Sequence, residues 1–218
     1  LNRYYPVFLR LTGKLCVVVG GGFGTGGRVR DLLEAGARVR LVAPSLPEEV
    51  QLDSIEWEPR GYRPGDLEGA SLAIVCAPDR SRNAEIWAEA ERLNVVINSL
   101  DDTPHCTFIA PAIHRQGDLV VAVSSSGDSP ALASLIRDRI ARRLGPEFGE
   151  LAEMLGALRA EVIERFPGFE RRRGIWRQLV RSEAIRHLRA GRREAAEAAL
   201  RGVIERAGAA KLPADGPD

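Results

Sequence analysis

The run Leu15–Gly20 (LCVVVG) passes directly into Gly21-Gly22-Phe23-Gly24-Thr25-Gly26-Gly27, and a helix-like pattern with Val29, Leu32 and Leu33 follows. A short, uninterrupted apolar run ending in glycines reads as a strand buried on both faces. Glycines between such a strand and a helix let the backbone turn tightly. They also leave the free N–H groups of the helix N-terminus open to an anion. In that context the turn implies a dinucleotide whose pyrophosphate lies on the helix, where a plain glycine-rich turn would be the simpler alternative. Two registers fit, Gly20-x-Gly22-x-x-Thr25 and Gly22-x-Gly24-x-x-Gly27. The first puts its leading glycine at the strand end and is preferred, so Gly20, Gly22, Phe23, Gly24 and Thr25 are the expected cofactor contacts.

Alternation continues downstream. Gly36 stops the first helix, predicted over Gly24–Ala35. Strands are predicted at Arg38–Ala43, Ser54–Pro59, Leu72–Cys76 and Val95–Asn98, with a helix over Arg80–Leu93 that sets Ile86, Ala90 and Leu93 on one face. This is the pattern of an α/β, Rossmann-type doubly wound parallel sheet. An acidic residue is expected to close the second strand and hold the ribose. That position reads Ala43-Pro44-Ser45, leaving Ser45 to offer one hydrogen bond and NAD against NADP open from residues alone. Ala77 ends the fourth strand, in Cys76-Ala77-Pro78-Asp79, where nucleotide contacts are expected.

After Asn98 the rhythm changes. Cys106–Ile109 and Leu119–Ser124 read as strands outside the βαβ series. Ser129–Leu144 reads as a helix with Ser129 at the N-cap and Pro130 at N1. Glu147–Arg206 is helical, with breaks near Pro167–Gly168 and Gly191. The expected organisation is a dinucleotide-binding domain over 1–112, a short mixed segment over 113–145, a helical domain over 146–207 and a flexible tail over 208–218.

Composition narrows the functional classes. A net charge of +1 argues against a nucleic-acid protein driven by overall charge. Between Ala133 and Arg206, 17 arginines face 11 acidic residues. That surplus reads either as a solvated helix face or as a grip on carboxylates. Cys16, Cys76 and Cys106 are scattered and lack ligand or disulfide spacing, which fits a reducing, cytoplasmic setting. No apolar run is long enough to span a membrane. His105-Cys106 beside Asp101 lacks a third partner at ligand spacing, so no metal site is expected.

In order, LCVVVGGG, LLEAGARVRLVAP, LAIVCAPDRSRN, INSLDD…CTFIAPA and LVVAVSSSGDSPALASLIRDRI resemble the precorrin-2 dehydrogenase family, the N-terminal module of siroheme synthase. The resemblance is close from Tyr4 to Leu144 and looser beyond. Two positions depart from it: the family usually has Val-Ala where this chain has Gly24-Thr25, and a Gly pair where it has Ser126-Gly127. The resemblance implies a homodimer, with 113–145 as its dimerisation segment, and NAD-dependent oxidation of precorrin-2 to sirohydrochlorin in siroheme biosynthesis. Some members also insert ferrous iron into sirohydrochlorin. It also implies a functional aspartate at Asp101, a cofactor-domain asparagine at Asn83 and a substrate-side serine at Ser125. Asp101 follows the fifth strand, at the edge where a nicotinamide would lie, and a carboxylate there can take a proton. Asp102 is expected only to shape the turn. Arg137, Arg139 and Arg171–Arg173 are candidates for the substrate's rim carboxylates. Rival readings are a non-catalytic Rossmann nucleotide sensor, which leaves the Asp101 and Ser125 segments unexplained, and a small-metabolite dehydrogenase, for which a Lys/His catalytic pair is missing.

Overall fold

A computed structural model describes residues 4–77 and 80–209. The chain divides into two compact units, Leu1–Ala110 with Ser126–Ser129, and Pro111–Ser125 with Pro130–Asp218. The first holds a five-stranded parallel sheet: β1 (Leu15–Val19), β2 (Arg38–Val42), β3 (Glu56–Glu58), β4 (Leu72–Val75) and β5 (Val96–Ser99), in the order β3-β2-β1-β4-β5. Helices α1 (Thr25–Glu34) and α2 (Asn83–Leu93) cover opposite faces.

The central strand shows why its sequence has no polar alternation. Cys16 and Val18 pack with Val29 and Leu32 of α1, while Val17 and Val19 pack with Ile86 and Ala90 of α2. Both faces are covered, so every position is apolar. Chain order reverses between β1 and β4, which opens a crevice beyond their C-terminal ends, where open α/β sheets bind ligands.

The expected fold class is present, with local differences. The third strand is shorter than Ser54–Pro59 because a 3₁₀ turn takes Leu52–Ser54. Another takes Arg80–Arg82, so α2 starts at Asn83. Cys106–Ile109 is not a strand. The Thr107 and Phe108 N–H groups both donate to the Ile97 carbonyl, and the Thr107 hydroxyl accepts from the Ile97 N–H. A side chain thus caps β5 at one point where a ladder would need successive backbone pairs.

The second unit opens with a strand the sequence did not disclose, β6 (Ala112–Gln116), paired antiparallel with β7 (Leu119–Val123). Gln116 opposes Leu119, so the turn is Gly117-Asp118, with Gly117 at φ +57° as a tight hairpin requires. Then come α3 (Pro130–Ala141), α4 (Pro146–Ala157), α5 (Arg159–Arg165), α6 (Phe169–Val180), α7 (Ala184–Arg189) and α8 (Arg193–Ala209). The last five helices close around Val162, Phe166, Leu179, Leu200 and Ile204, all essentially buried. Breaks fall at Pro167–Gly168 and Gly191, as the sequence indicates. The tail expected from Gly208 lies, from residue 210 on, outside the described residues.

Candidate functional site

The glycine turn closes onto β4. The Gly20 N–H donates to the Val42 carbonyl at 2.8 Å and the Gly22 N–H to the Cys76 carbonyl at 3.2 Å. Gly20 has φ +98°, and a Cβ there would stand 2.7 Å from the Ala77 backbone. Thr25, 1% exposed, turns its hydroxyl back to donate to the Gly22 carbonyl at 2.7 Å, with the Gly20 carbonyl at 3.2 Å. Gly20 and Thr25 therefore sit as the first and third residues of the Gly20–Gly22–Thr25 register do: one makes the tight turn, the other packs helix against strand. α1 begins at Gly24 (φ +84°) with no side-chain cap and no acidic residue in its first turn. The Thr25 N–H is taken by the Gly22 carbonyl at 3.2 Å, while the Gly26 and Gly27 N–H groups that follow have no intrahelical acceptor, which suits a pyrophosphate. The turn thus fits the group. Ser45 lies against Gly21, where a Cβ would be 3.3 Å from the Ser45 carbonyl oxygen. Phe23 projects fully exposed from the turn. Pro78 and Asp79 lie outside the described residues.

The loop after β5 adjoins this turn: a Cβ on Gly24 would meet Leu100 Cδ2 at 3.9 Å. The next two residues are both acids, with different surroundings. Asp101 takes the left-handed conformation (φ +56°) and holds its carboxylate in solvent, 87% exposed, 3.7 Å from Arg80. Asp102 turns inward, with a side chain only 15% exposed. Its Oδ2 accepts from Asn83 Nδ2 at 2.7 Å and meets His105 Nδ1 at 2.9 Å, while His105 stands edge-on to Trp87. The Asn83 amide, then His105, hold the Asp102 carboxyl below its usual range, against the opposing effect of burial.

Asp102 therefore does more than shape a turn: it ties α2 to the loop carrying Asp101. Asn83, expected at the cofactor, is 2% exposed and gives its amide group to Asp102; its Oδ1 is buried without a partner. Residues 19 apart in sequence carry no motif for such a contact, so sequence reasoning missed both Asp102 and His105. Cys106 is also absorbed locally. Its Sγ accepts from the Ser99 N–H at 3.1 Å, and burial pushes the thiol up. No group of three or more His, Cys, Asp or Glu among the described residues is placed to hold a metal.

This network has a pH signature. A carboxyl lowered in the folded state stabilises it fully above the unfolded value near 4, and that contribution is lost as pH falls through the folded value. Asp102→Ala is expected to cost about 1–3 kcal/mol at neutral pH, because Asn83 loses a charged acceptor. In thermal melts of both proteins, the gap to wild type narrows as pH drops below about 4. A gap independent of pH would remove the carboxylate from the explanation.

Gly20, Gly22, Phe23, Gly24, Thr25, Ser45, Ala77 and Asp101 thus gather at the C-terminal edge of one sheet, with Asn83 tied to it through Asp102. Ser125 and Arg137 belong to the second unit. Ser125 is half-buried after β7. Arg137, on α3, donates from Nη1 to the Ile113 carbonyl at 3.4 Å and from Nε to Asp138 at 2.6 Å.

Fold and site define an α/β protein with an NAD(P)-binding domain. Residues 7–112 match a family model described as NAD(P)-binding, 116–143 the sirohaem biosynthesis protein central region and 147–204 the sirohaem synthase dimerisation region. The chain belongs to the siroheme synthase family, as its N-terminal module. It is 41% identical over 202 residues to the siroheme synthase of Stutzerimonas stutzeri (strain A1501), covering 91% of this chain and 43% of that protein. It is 35% identical over 207 residues to that of Nitrosomonas europaea, covering 93% and 44%. The chain therefore spans less than half the length of these relatives. Among solved structures it resembles SirC, a precorrin-2 dehydrogenase, with TM-score 0.64 and 20% identity, covering 94% of this chain and 98% of that one; this likeness bears on the fold. The name dimerisation falls there on 147–204, C-terminal to the 113–145 segment given that role above. No helix among the described residues is long and apolar enough to cross a membrane.

Proposed function

We propose that the chain oxidises precorrin-2 to sirohydrochlorin with NAD, as a homodimer, in siroheme biosynthesis. The observation that carries this reading is the exposed Asp101 carboxylate, on a loop whose preceding residue, Leu100, adjoins the glycine turn at Gly24. Removing two hydrogens from the macrocycle releases a hydride and a proton. Bound NAD supplies the hydride acceptor. Asp101 takes the proton from the ring carbon or nitrogen and passes it to solvent, for which its exposure suits it. Gly20, Gly22 and Thr25 shape the turn, and the N–H groups of Phe23, Gly24 and the start of α1 hold the pyrophosphate, with Ser45 and Ala77 alongside. Asn83 acts on the site through Asp102, as a positioning residue. Ser125 and Arg137 serve the substrate's carboxylates.

Ferrous iron, as a second substrate, replaces pyrrole protons that the same Asp101 carboxylate is suited to accept. Anaerobic incubation with precorrin-2 and NAD, followed by NADH and sirohydrochlorin absorbance, tests the main reading, and NADP in parallel tests cofactor choice. Stoichiometric conversion is expected. NAD binding with no turnover would instead make the chain a nucleotide-sensing module. Sirohydrochlorin with ferrous iron, compared with a protein-free control, decides the chelatase step.

A further inference from the structure

The Gly20–Gly22–Thr25 register leaves Gly26 without a role. It is the second residue of α1 and is buried. The loop after β2 accounts for it. A Cβ on Gly26 would overlap the Glu49 carboxylate, and would stand 3.2 Å from Glu49 Cδ and 3.5 Å from Glu49 Cβ. The Glu49 side chain thus lies against the first turn of α1. Two features hold the loop there. Val50 is buried in the core on the α1 side of the sheet, with Leu46 packed against that core. The Val50 N–H also donates to the Pro47 carbonyl at 3.0 Å, closing a turn whose middle residues are Glu48 and Glu49. The same loop meets the glycine turn at a second point, where a Cβ on Gly21 would be 3.3 Å from the Ser45 carbonyl oxygen and 3.4 Å from its Oγ. Glu49 is exposed, and its carboxylate has no hydrogen bond or ion pair among the described residues.

The position matters because of what β2 lacks. A dinucleotide site on a strand–turn–helix unit takes the ribose hydroxyls on an acidic residue at the end of the second strand. Here Ala43-Pro44-Ser45 stands in that place. Ser45 and Glu49 flank the turn on the β2 side, where the ribose lies once the pyrophosphate rests on the helix. Resting on the NAD reading proposed above, we infer that Glu49 is the missing acid and sets the preference for NAD over NADP. Two neighbouring hydroxyls donate to its two oxygens as charge-assisted hydrogen bonds. A 2′-phosphate removes one donor and sets its negative charge against the carboxylate. Gly26 keeps the place of the carboxylate clear. The opposing group is Arg30, exposed, with Nη2 4.0 Å from a Cβ on Gly27. A cation there would draw a 2′-phosphate. Gly26 and Gly27 face directions about 100° apart on the helix, so Glu49 and Arg30 predict opposite preferences.

The test is a calorimetric titration of the full chain with NAD and with NADP. Wild type is expected to bind NAD at least about tenfold more tightly. Glu49→Gln keeps the shape and removes the charge, and should lower the NAD/NADP affinity ratio about tenfold, with a gain in NADP binding. Gly26→Ala displaces the carboxylate without removing it, at a helical position that suits alanine, and should lower the ratio in the same direction. Glu48→Gln should change it less than about twofold, and melting temperatures check that every variant folds. An unchanged ratio in Glu49→Gln overturns the assignment. So does a wild-type preference for NADP that Arg30→Gln abolishes. Precorrin-2 oxidation with an unchanged ratio sinks the role of Glu49 alone. A Glu49-dependent ratio without precorrin-2 oxidation sinks the proposed reaction and leaves Glu49 in place.

Discussion

Asp101→Asn is expected to slow precorrin-2 oxidation by about 10²–10⁴, the usual contribution of a positioned general base, while NAD affinity stays within about twofold. Asparagine is the informative replacement. Asp101 sits at φ +56°, a conformation asparagine tolerates and alanine adopts at a cost of about 1–2 kcal/mol. The variant therefore removes the proton acceptor and keeps the turn. Its ion pair with Arg80 at 3.7 Å joins two exposed side chains and contributes little to stability. Melting temperatures of variant and wild type should accordingly agree, which separates loss of chemistry from loss of fold. The fall belongs in kcat, measured as NADH formation at saturating precorrin-2 and NAD, since the carboxylate is needed at the proton transfer itself. An asparagine variant retaining half the wild-type rate would remove Asp101 from the mechanism.

The neighbouring acids show how far the sequence could be read. Both stand in the same loop, and their letters carry no difference. What separates them is the left-handed backbone at Asp101, which sends one carboxylate to solvent and the next toward Asn83 and His105. The parallel strands were legible because burial on both faces leaves a continuous apolar record, as in LCVVV and LAIV. Strand β6 (AIHRQ) was not, since a half-buried hairpin strand keeps its polar residues. Its signal was the turn pair Gly117-Asp118, which sets the register. Cys106–Ile109 misled for the opposite reason: apolar, β-prone residues there are spent on capping β5. The arginine excess was visible as a count, but which arginines are unpaired depends on glutamates some 40 residues away, such as the Arg189–Glu147 and Arg201–Glu161 pairs.

Gly20→Ala tests the turn where it is least forgiving. Two costs coincide at this position. An L-residue at φ +98° costs about 1–2 kcal/mol in the backbone alone. The new Cβ would also stand 2.7 Å from Ala77 Cα and N. Those atoms are held through the Gly22–Cys76 backbone bond and the buried end of β4, so relief requires the turn to move, at about 1–3 kcal/mol more. A loss of about 2–5 kcal/mol is expected in chemical denaturation, together with at least a tenfold loss of NAD affinity, because the shift carries Gly22 and the start of α1 away from the pyrophosphate. Gly24→Ala is the control that separates the two costs. Its φ is +84°, but its Cβ would meet only Leu100 Cδ2 at 3.9 Å, an ordinary contact, so it should lose about 1–2 kcal/mol from the backbone alone. Equal losses at the two positions would mean that the close approach to Ala77 does not hold the turn. A Gly20→Ala protein with wild-type stability and NAD affinity would place the cofactor elsewhere on the sheet edge.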